Sequence, residues 1–180
     1  DVSGAGADTH MPLLSQTTEG MHNLFRLSSR ASIEGYYFKP RMDRELLQTY
    51  SKGLIATTGC PSGEIQTRIR LGQLKEAREA AAEFQDLFGK ENFFCELMDH
   101  GLDLERRVKK DLIDIARDLK IPLVATNGLH YVHESDADAH SALLCVQSGS
   151  RLDDPNRFQF SGSGYYLKSA AEMRHIFREL

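Results

Sequence analysis

The feature that most constrains this chain is an alternation. Three short apolar runs, LIATT at 54–58, FFCELM at 93–98 and PLVAT at 122–126, are separated by stretches with helical periodicity. Leu74, Ala77, Ala81, Phe84 and Phe88 mark one amphipathic helix, closed by Gly89. Leu104, Val108, Leu112, Ile115 and Leu119 mark a longer one. A third is expected from about Ser135, with Asp138 three residues on as a capping box and Ala139, Leu143, Leu144 and Val146 turned inward. Strand, helix and strand in alternation imply crossover connections and a parallel sheet. The PLVAT run is almost wholly apolar, which predicts burial on both faces.

The remaining elements fall around this unit. Residues 11–14 are short and apolar, as expected of a buried strand. Thr17, Thr18 and Glu19 form an N-terminal cap ahead of Met21, Leu24, Phe25 and Ser28, and Gly35 ends that helix. A second helix opens at Asp43, packs Leu46, Leu47 and Tyr50, and stops near Gly53. Gly59, Cys60 and Pro61 make a sharp turn into a helix from Ser62. Residues 148–164 are polar and rich in Gly, Asp and Pro, as in an exit loop. A short strand at 165–167 and a final helix from Ser169 follow. Three or four strands make an open sheet; a closed barrel needs more.

A length of 180 residues predicts one domain, and 41% hydrophobic with 27% charged residues is globular composition. The net charge of -4 gives no support to a self-sufficient nucleic-acid binder. No apolar run approaches the roughly 20 residues that span a bilayer, and the amino end lacks the basic and apolar regions of a signal peptide. The cysteines Cys60, Cys95 and Cys145 are odd in number and far apart, which fits a reducing cytosol better than a disulfide framework.

Chemistry in parallel α/β folds sits at the carboxyl ends of strands. Cys60 follows the first run, Asp99 and His100 the second, and Asn127 to His130 the third; His10 lies just before the 11–14 stretch. Imidazole and thiolate are good ligands for zinc and related metals, and a thiol near a helix N-terminus is biased toward thiolate. Each of these residues taken alone reads more simply as structural. The group His133, Glu134, Asp136, Asp138 and His140 looks rich in ligands, but its acids fall in a first helical turn, where the helix dipole favours carboxylates anyway. Arg106, Arg107, Lys109 and Lys110 read as a solvated helix face. There is no P-loop, GxGxxG, HExxH, paired CxxC or GxSxG. Spacing alone reaches a parallel α/β domain with a candidate metal pocket.

Longer blocks carry more. KPRMDRELL, GLIATTGCPSGEIQTRI, ELMDHGL, VATNGLHYVHESDADAHSALLCVQSG, LDDPNRFQF and YYLKSAAEM, in this order, closely resemble the PHP (polymerase and histidinol phosphatase) domain at the amino end of the bacterial DNA polymerase III alpha subunit. The resemblance runs from about His10 to the end. It implies a fragment of a distorted (β/α) barrel of PHP type with its first strands missing. Residues 1–9 would be a loop or the end of an insertion, 10–164 the partial PHP domain, and 165–180 a strand and helix leading toward the polymerase palm. It implies metal ligands at His10, Cys60 and His130, with His100, Asn127 and Gly128 near the site and His100 not a ligand. The metal would be zinc, manganese or iron, while the magnesium of nucleotidyl transfer would belong to the polymerase domain outside this fragment.

Two departures qualify what the resemblance implies. The family's opening strands, with their HxH motif and further His, Asp and Glu ligands, are absent from these 180 residues. Gly128 also stands where the family usually has an aspartate, and glycine offers a metal no carboxylate. The expected role is therefore to scaffold a replicative polymerase core with an incomplete metal site, and 3′–5′ exonuclease activity of its own that is weak or absent. Expected partners are the remainder of the alpha chain, DNA primer-template, the sliding clamp and other replisome subunits, in a bacterial, nucleoid-associated cytoplasmic setting with no membrane. Rival readings are a free-standing histidinol-phosphatase-like phosphoesterase and a non-catalytic module that docks a proofreading subunit. A parallel barrel without its first strands would also bare unpaired edges and apolar surface, which predicts poor solubility in isolation.

Overall fold

A computed structural model describes residues 8–180. Of the loop expected at 1–9, all but Asp8 and Thr9 lies outside the described residues. The chain divides into two compact units. The first takes in the described residues up to Leu97 together with Arg107–Val124; the second is Met98–Arg106 with Ala125–Leu180.

In the first unit, β1 (Leu13–Ser15) leads into α1 (Thr18–Ile33), then α2 (Arg44–Tyr50), β2 (Leu54–Thr57), α3 (Glu64–Arg70), α4 (Leu74–Phe88) and β3 (Phe93–Leu97). Helix α5 (Asp103–Leu119) starts in the second unit and continues in the first, followed by β4 (Leu123–Ala125). The sheet order is β1-β2-β3-β4. Thr17 caps α1 by accepting from the Gly20 N–H, and Asp43 caps α2 by accepting from the Leu46 N–H, both as the sequence predicts. Helix α3 begins at Glu64 rather than Ser62, because residues 60–63 form a turn closed by the Gly63 N–H on the Cys60 carbonyl (2.7 Å).

The core follows the predicted periodicities. Phe93 and Leu54 are fully buried from the sheet side, and Ala77, Ala81, Phe84 and Phe88 of α4 meet them, with Phe84 and Phe88 rings 5.9 and 6.5 Å from the ring of Phe93. Val108, Leu112, Ile115 and Ala116 of α5 are buried as well.

The sheet is not all parallel. Strand β2 pairs with β3 in parallel, but β1 pairs with β2 antiparallel, Leu14 opposite Ile55. The reason lies in the connection. It leaves β1 along α1 and returns along α2 to the end where it started. The Gln16 N–H donates to the Gly53 carbonyl (2.8 Å) and the Asn23 amide to the Lys52 carbonyl (2.9 Å). A Cβ on Gly20 would lie 1.9 Å from the Gly53 oxygen. An out-and-back excursion reverses the strand, whereas the α3–α4 connection crosses the sheet once and keeps it parallel. At the far turn of the excursion, Tyr36, Tyr37 and Phe38 are exposed.

Strand β4 also departs from expectation. It is an edge strand, and Leu123 is 40% exposed, so the apolar run is not buried on both faces.

In the second unit, a short 3-10 turn (Glu134–Asp136) precedes α6 (Ala137–Ser148), and α7 (Ala170–Ile176) closes the chain. The capping pair is His133 with Asp136, two residues ahead of the predicted Ser135 with Asp138, because the 3-10 turn takes up the first polar residues. Helix α6 turns Cys145 inward and leaves Leu143 and Val146 exposed, contrary to the expected inward face. Its apolar residues run consecutively from 142 to 146, so they ring the helix and no single face is marked by the pattern. Residues 165–167 make one parallel bridge, Tyr131 to Tyr166, instead of a strand, since the partner segment is itself a loop. Among the described residues no helix is long and apolar enough to cross a membrane.

Candidate metal and phosphate centre

His10 and Cys60 belong to the first unit, where the backbone draws them together. His10 is exposed on the approach to β1, and its N–H donates to the Ser62 carbonyl (3.1 Å) in the turn that carries Cys60. That turn is firmly held. The buried Gln66 amide donates to Thr58 Oγ1 (3.2 Å) and to the Gly59 carbonyl (2.8 Å), and Thr58 Oγ1 in turn accepts from the Glu96 N–H (3.0 Å). Strand end, turn and α3 are thus one hydrogen-bonded block. Beside it lies a cavity of about 550 Å³, into which His10, Arg41 and Arg44 face. Its charges are already paired: Arg44 forks onto Glu64 (2.9 and 3.0 Å) and lies over the Phe84 ring, and Lys39 meets Asp8 at 2.5 Å. Burial pushes the Cys95 thiol up to about 12, which marks it as an inert core residue.

His130, His100, Asn127 and Gly128 all lie in the second unit. The His100 ring is buried. Its Nδ1 lies 2.7 Å from Glu105 Oε1, and its Nε2 accepts the Gly128 N–H at 2.9 Å. An accepting Nε2 places the ring proton on Nδ1, which therefore donates to Glu105. Both ring nitrogens are committed, so His100 has no lone pair to offer a metal. Glu105 also accepts the backbone N–H groups of His100 (2.7 Å) and Leu102 (3.4 Å). Burial alone would raise its carboxyl, but these hydrogen bonds outweigh it and hold the group below the usual carboxylate range. Tyr165 stacks on His100 with ring centroids 4.6 Å apart.

Gly128 fits closely into this arrangement. A Cβ there would stand 3.2 Å from His100 Cε1 and Nε2 and 3.7 Å from the Tyr165 ring. A side chain at 128 would require the imidazole to give by a few tenths of an ångström. His130 lies among other rings, 5.2 Å from His140, 4.6 Å from Phe160 and 5.9 Å from Tyr165. Burial, then the neighbouring His140 and His100, lower its pKa and favour the neutral imidazole that ligates metals. Two of the three acids of the 133–140 group have structural partners: Asp136 accepts the His133 N–H, and Glu134 accepts from Ser163 Oγ (2.7 Å). Within neither unit, among the described residues, do three or more His, Cys, Asp or Glu side chains gather closely enough to hold an ion.

Two residues that sequence reasoning passes over are Glu105 and Lys168. Glu105 could have been found, as it stands three residues after Leu102 at a helix start, the capping-box position. Lys168 carries no local signal; only the fold brings it to Asn127, whose Oδ1 accepts from its Nζ at 3.1 Å.

A model of the PHP domain family matches residues 2–100, more than half of the chain. The chain is 63% identical over 174 residues to a protein of Saccharopolyspora erythraea named DNA polymerase III subunit alpha, covering 97% of this chain and 15% of that protein. It is 58% identical over 177 residues to the protein of the same name from Mycobacterium tuberculosis, covering 98% and 15%. A Thermus aquaticus protein of that name is 42% identical over 174 residues, covering 97% and 14%. The chain thus spans about a seventh of the length of these relatives.

Proposed function

The chain belongs to the PHP domain family, and from that premise we propose that it is the PHP portion of a DNA polymerase III alpha subunit, a DNA-directed DNA polymerase whose nucleotidyl-transfer site lies outside these residues. The observation that carries this reading is identity of 58–63% along nearly the whole chain to proteins of that name. Its partners are then the remainder of the alpha chain, primer-template DNA and the clamp and other subunits of a replisome, at a bacterial nucleoid. The direct test is primer extension with magnesium by the full-length gene product. A product that binds primer-template without extending it would overturn the assignment.

Its own role is to scaffold that polymerase core. His10, Cys60 and His130 offer two imidazoles and a thiolate, a donor set suited to zinc, manganese or iron. Such an ion would polarise a phosphodiester and activate water. The residues present support only an incomplete site: position 128 contributes no carboxylate, His100 spends both nitrogens on Glu105 and Gly128, and neither unit alone gathers three donors. The expected 3′–5′ exonuclease activity is therefore weak or absent. Hydrolysis of a primer terminus with added zinc or manganese checks this, and robust metal-dependent cleavage by the chain itself would defeat it.

A further inference from the structure

We infer that Lys168 is a phosphate-contact residue: its ammonium, fixed beside Asn127 by neutral oxygens alone, takes an oxygen of a nucleic-acid phosphodiester. This rests on the DNA-handling reading above, and it adds a named cation and a ligand chemistry that the metal candidates do not supply.

The surroundings of Nζ are uncharged. It donates to Asn127 Oδ1 (3.1 Å) and to the Gly164 carbonyl, and it lies 4.4 Å from the centroid of the Tyr166 ring. Among the described residues no carboxylate is within ion-pair distance of it. The two acids that act on it from further away are occupied. Glu172 accepts from the Ser169 N–H (2.8 Å), Ser169 Oγ (2.6 Å) and Tyr166 Oη (2.6 Å), and Glu134 accepts from Ser163. Two lysines in open solvent do the opposite. Lys52 and Lys110, with side chains 79% and 84% exposed, meet Glu19 and Asp114 at 3.0 and 2.9 Å. Water would stabilise those ammoniums without a partner. Lys168 is half-buried, and burial lowers its pKa. A partly desolvated cation without a counter-ion is costly unless a ligand brings the charge.

The donor count and the position agree. An ammonium has three N–H donors, and only two have oxygen acceptors here. The third remains for an anion. Asn127 holds Lys168 in place by a second bond, its amide donating to the Tyr166 carbonyl at 2.9 Å. The His130 N–H donates to the Tyr165 carbonyl at 2.8 Å, so the lysine-bearing segment is laced to the loop that carries the late histidine. A phosphate oxygen on Nζ therefore lies by the loop of His130.

The test is lysine acylation of the full-length protein, read residue by residue by mass spectrometry. It is run free, with inorganic phosphate, and with a saturating dT12 oligonucleotide; carbethoxylation of His130 is read in parallel and Lys75 serves as the solvent-exposed control. Labelling of Lys168 is expected to fall severalfold with dT12 while Lys75 is unchanged. Protection by inorganic phosphate but not by dT12 overturns the nucleic-acid assignment and leaves a free-phosphate site in its place. Protection of His130 by dT12 without Lys168 overturns the lysine assignment and leaves the DNA reading standing; protection of neither also overturns the lysine assignment, and primer extension alone then decides the DNA reading. A Lys168→Gln variant should lower the salt slope of dT12 binding by about one, with Lys168→Arg restoring it. An unchanged slope in a variant with native thermal unfolding also overturns the proposal.

Discussion

The two units are stabilised in different ways. In the first, apolar side chains at strand and helix periodicity close over one another, and nearly all the buried apolar residues of the protein lie there. In the second, only Cys145 and Tyr165 are buried apolar residues. Its order comes from rings and polar side chains instead: His100 between Glu105 and Gly128, Tyr165 stacked on that imidazole, and Asn127 bound to Lys168 and Tyr166. The contrast shows that an interior can be specified by burial, which is non-directional and tolerant, or by a polar network, in which each member depends on the others.

If so, the two units should respond to different substitutions. The largest loss is expected from Phe93→Ala in the first unit, about 4 kcal/mol for removing a fully buried ring, measured by denaturant unfolding. Gly20→Ala should follow at about 3 kcal/mol, because the added methyl meets the Gly53 carbonyl backbone, which cannot yield as a side chain could. In the second unit, Glu105→Gln should cost about 2 kcal/mol by weakening the charge-assisted bonds to His100, and the Gly128 amide should exchange faster. At the small end, Val146→Ser is expected to change stability by less than about 0.5 kcal/mol, since the side chain is 79% exposed. A loss of several kcal/mol there would mean that burial organises the second unit after all.

Acid sharpens the same comparison. The Glu105 carboxyl titrates lower when folded than when unfolded, so its contribution is fully present above the ordinary value of 4.5 and is lost as pH falls below it. The second unit should therefore loosen first on acidification, seen as loss of the stacked His100 and Tyr165 ring signals by NMR. The Glu105→Gln variant should lack that step.

How much was legible in the sequence follows the same division. Helices α1, α4 and α5 and strands β2 and β3 were readable because their apolar residues recur at 3.6 or alternate around a buried row, as with Ala77, Ala81, Phe84 and Phe88. The reversed β1 was not, since strand and helix alternation is the same whether a connection crosses the sheet or returns; the distinction lies in Gly20 meeting Gly53, 33 positions apart in the chain. The exposed side of α6 was illegible because apolar residues stand all round it. Of the candidate site, the wording of TTGCPSGE and NGLHYV pointed to Cys60 and His130, and the structure joins the His10 backbone to the turn that carries Cys60. The commitments of His100 and the placing of Lys168 were out of reach, because each depends on a contact between distant residues that leaves no periodic trace.

The glycine contact at the base of the α1–α2 excursion has a mechanical consequence. Because departure and return meet beside the strand ends, strand register is held at the base of the lobe and not at its tip. Insertions around the exposed Tyr36–Phe38 are expected to leave Leu14 facing Ile55.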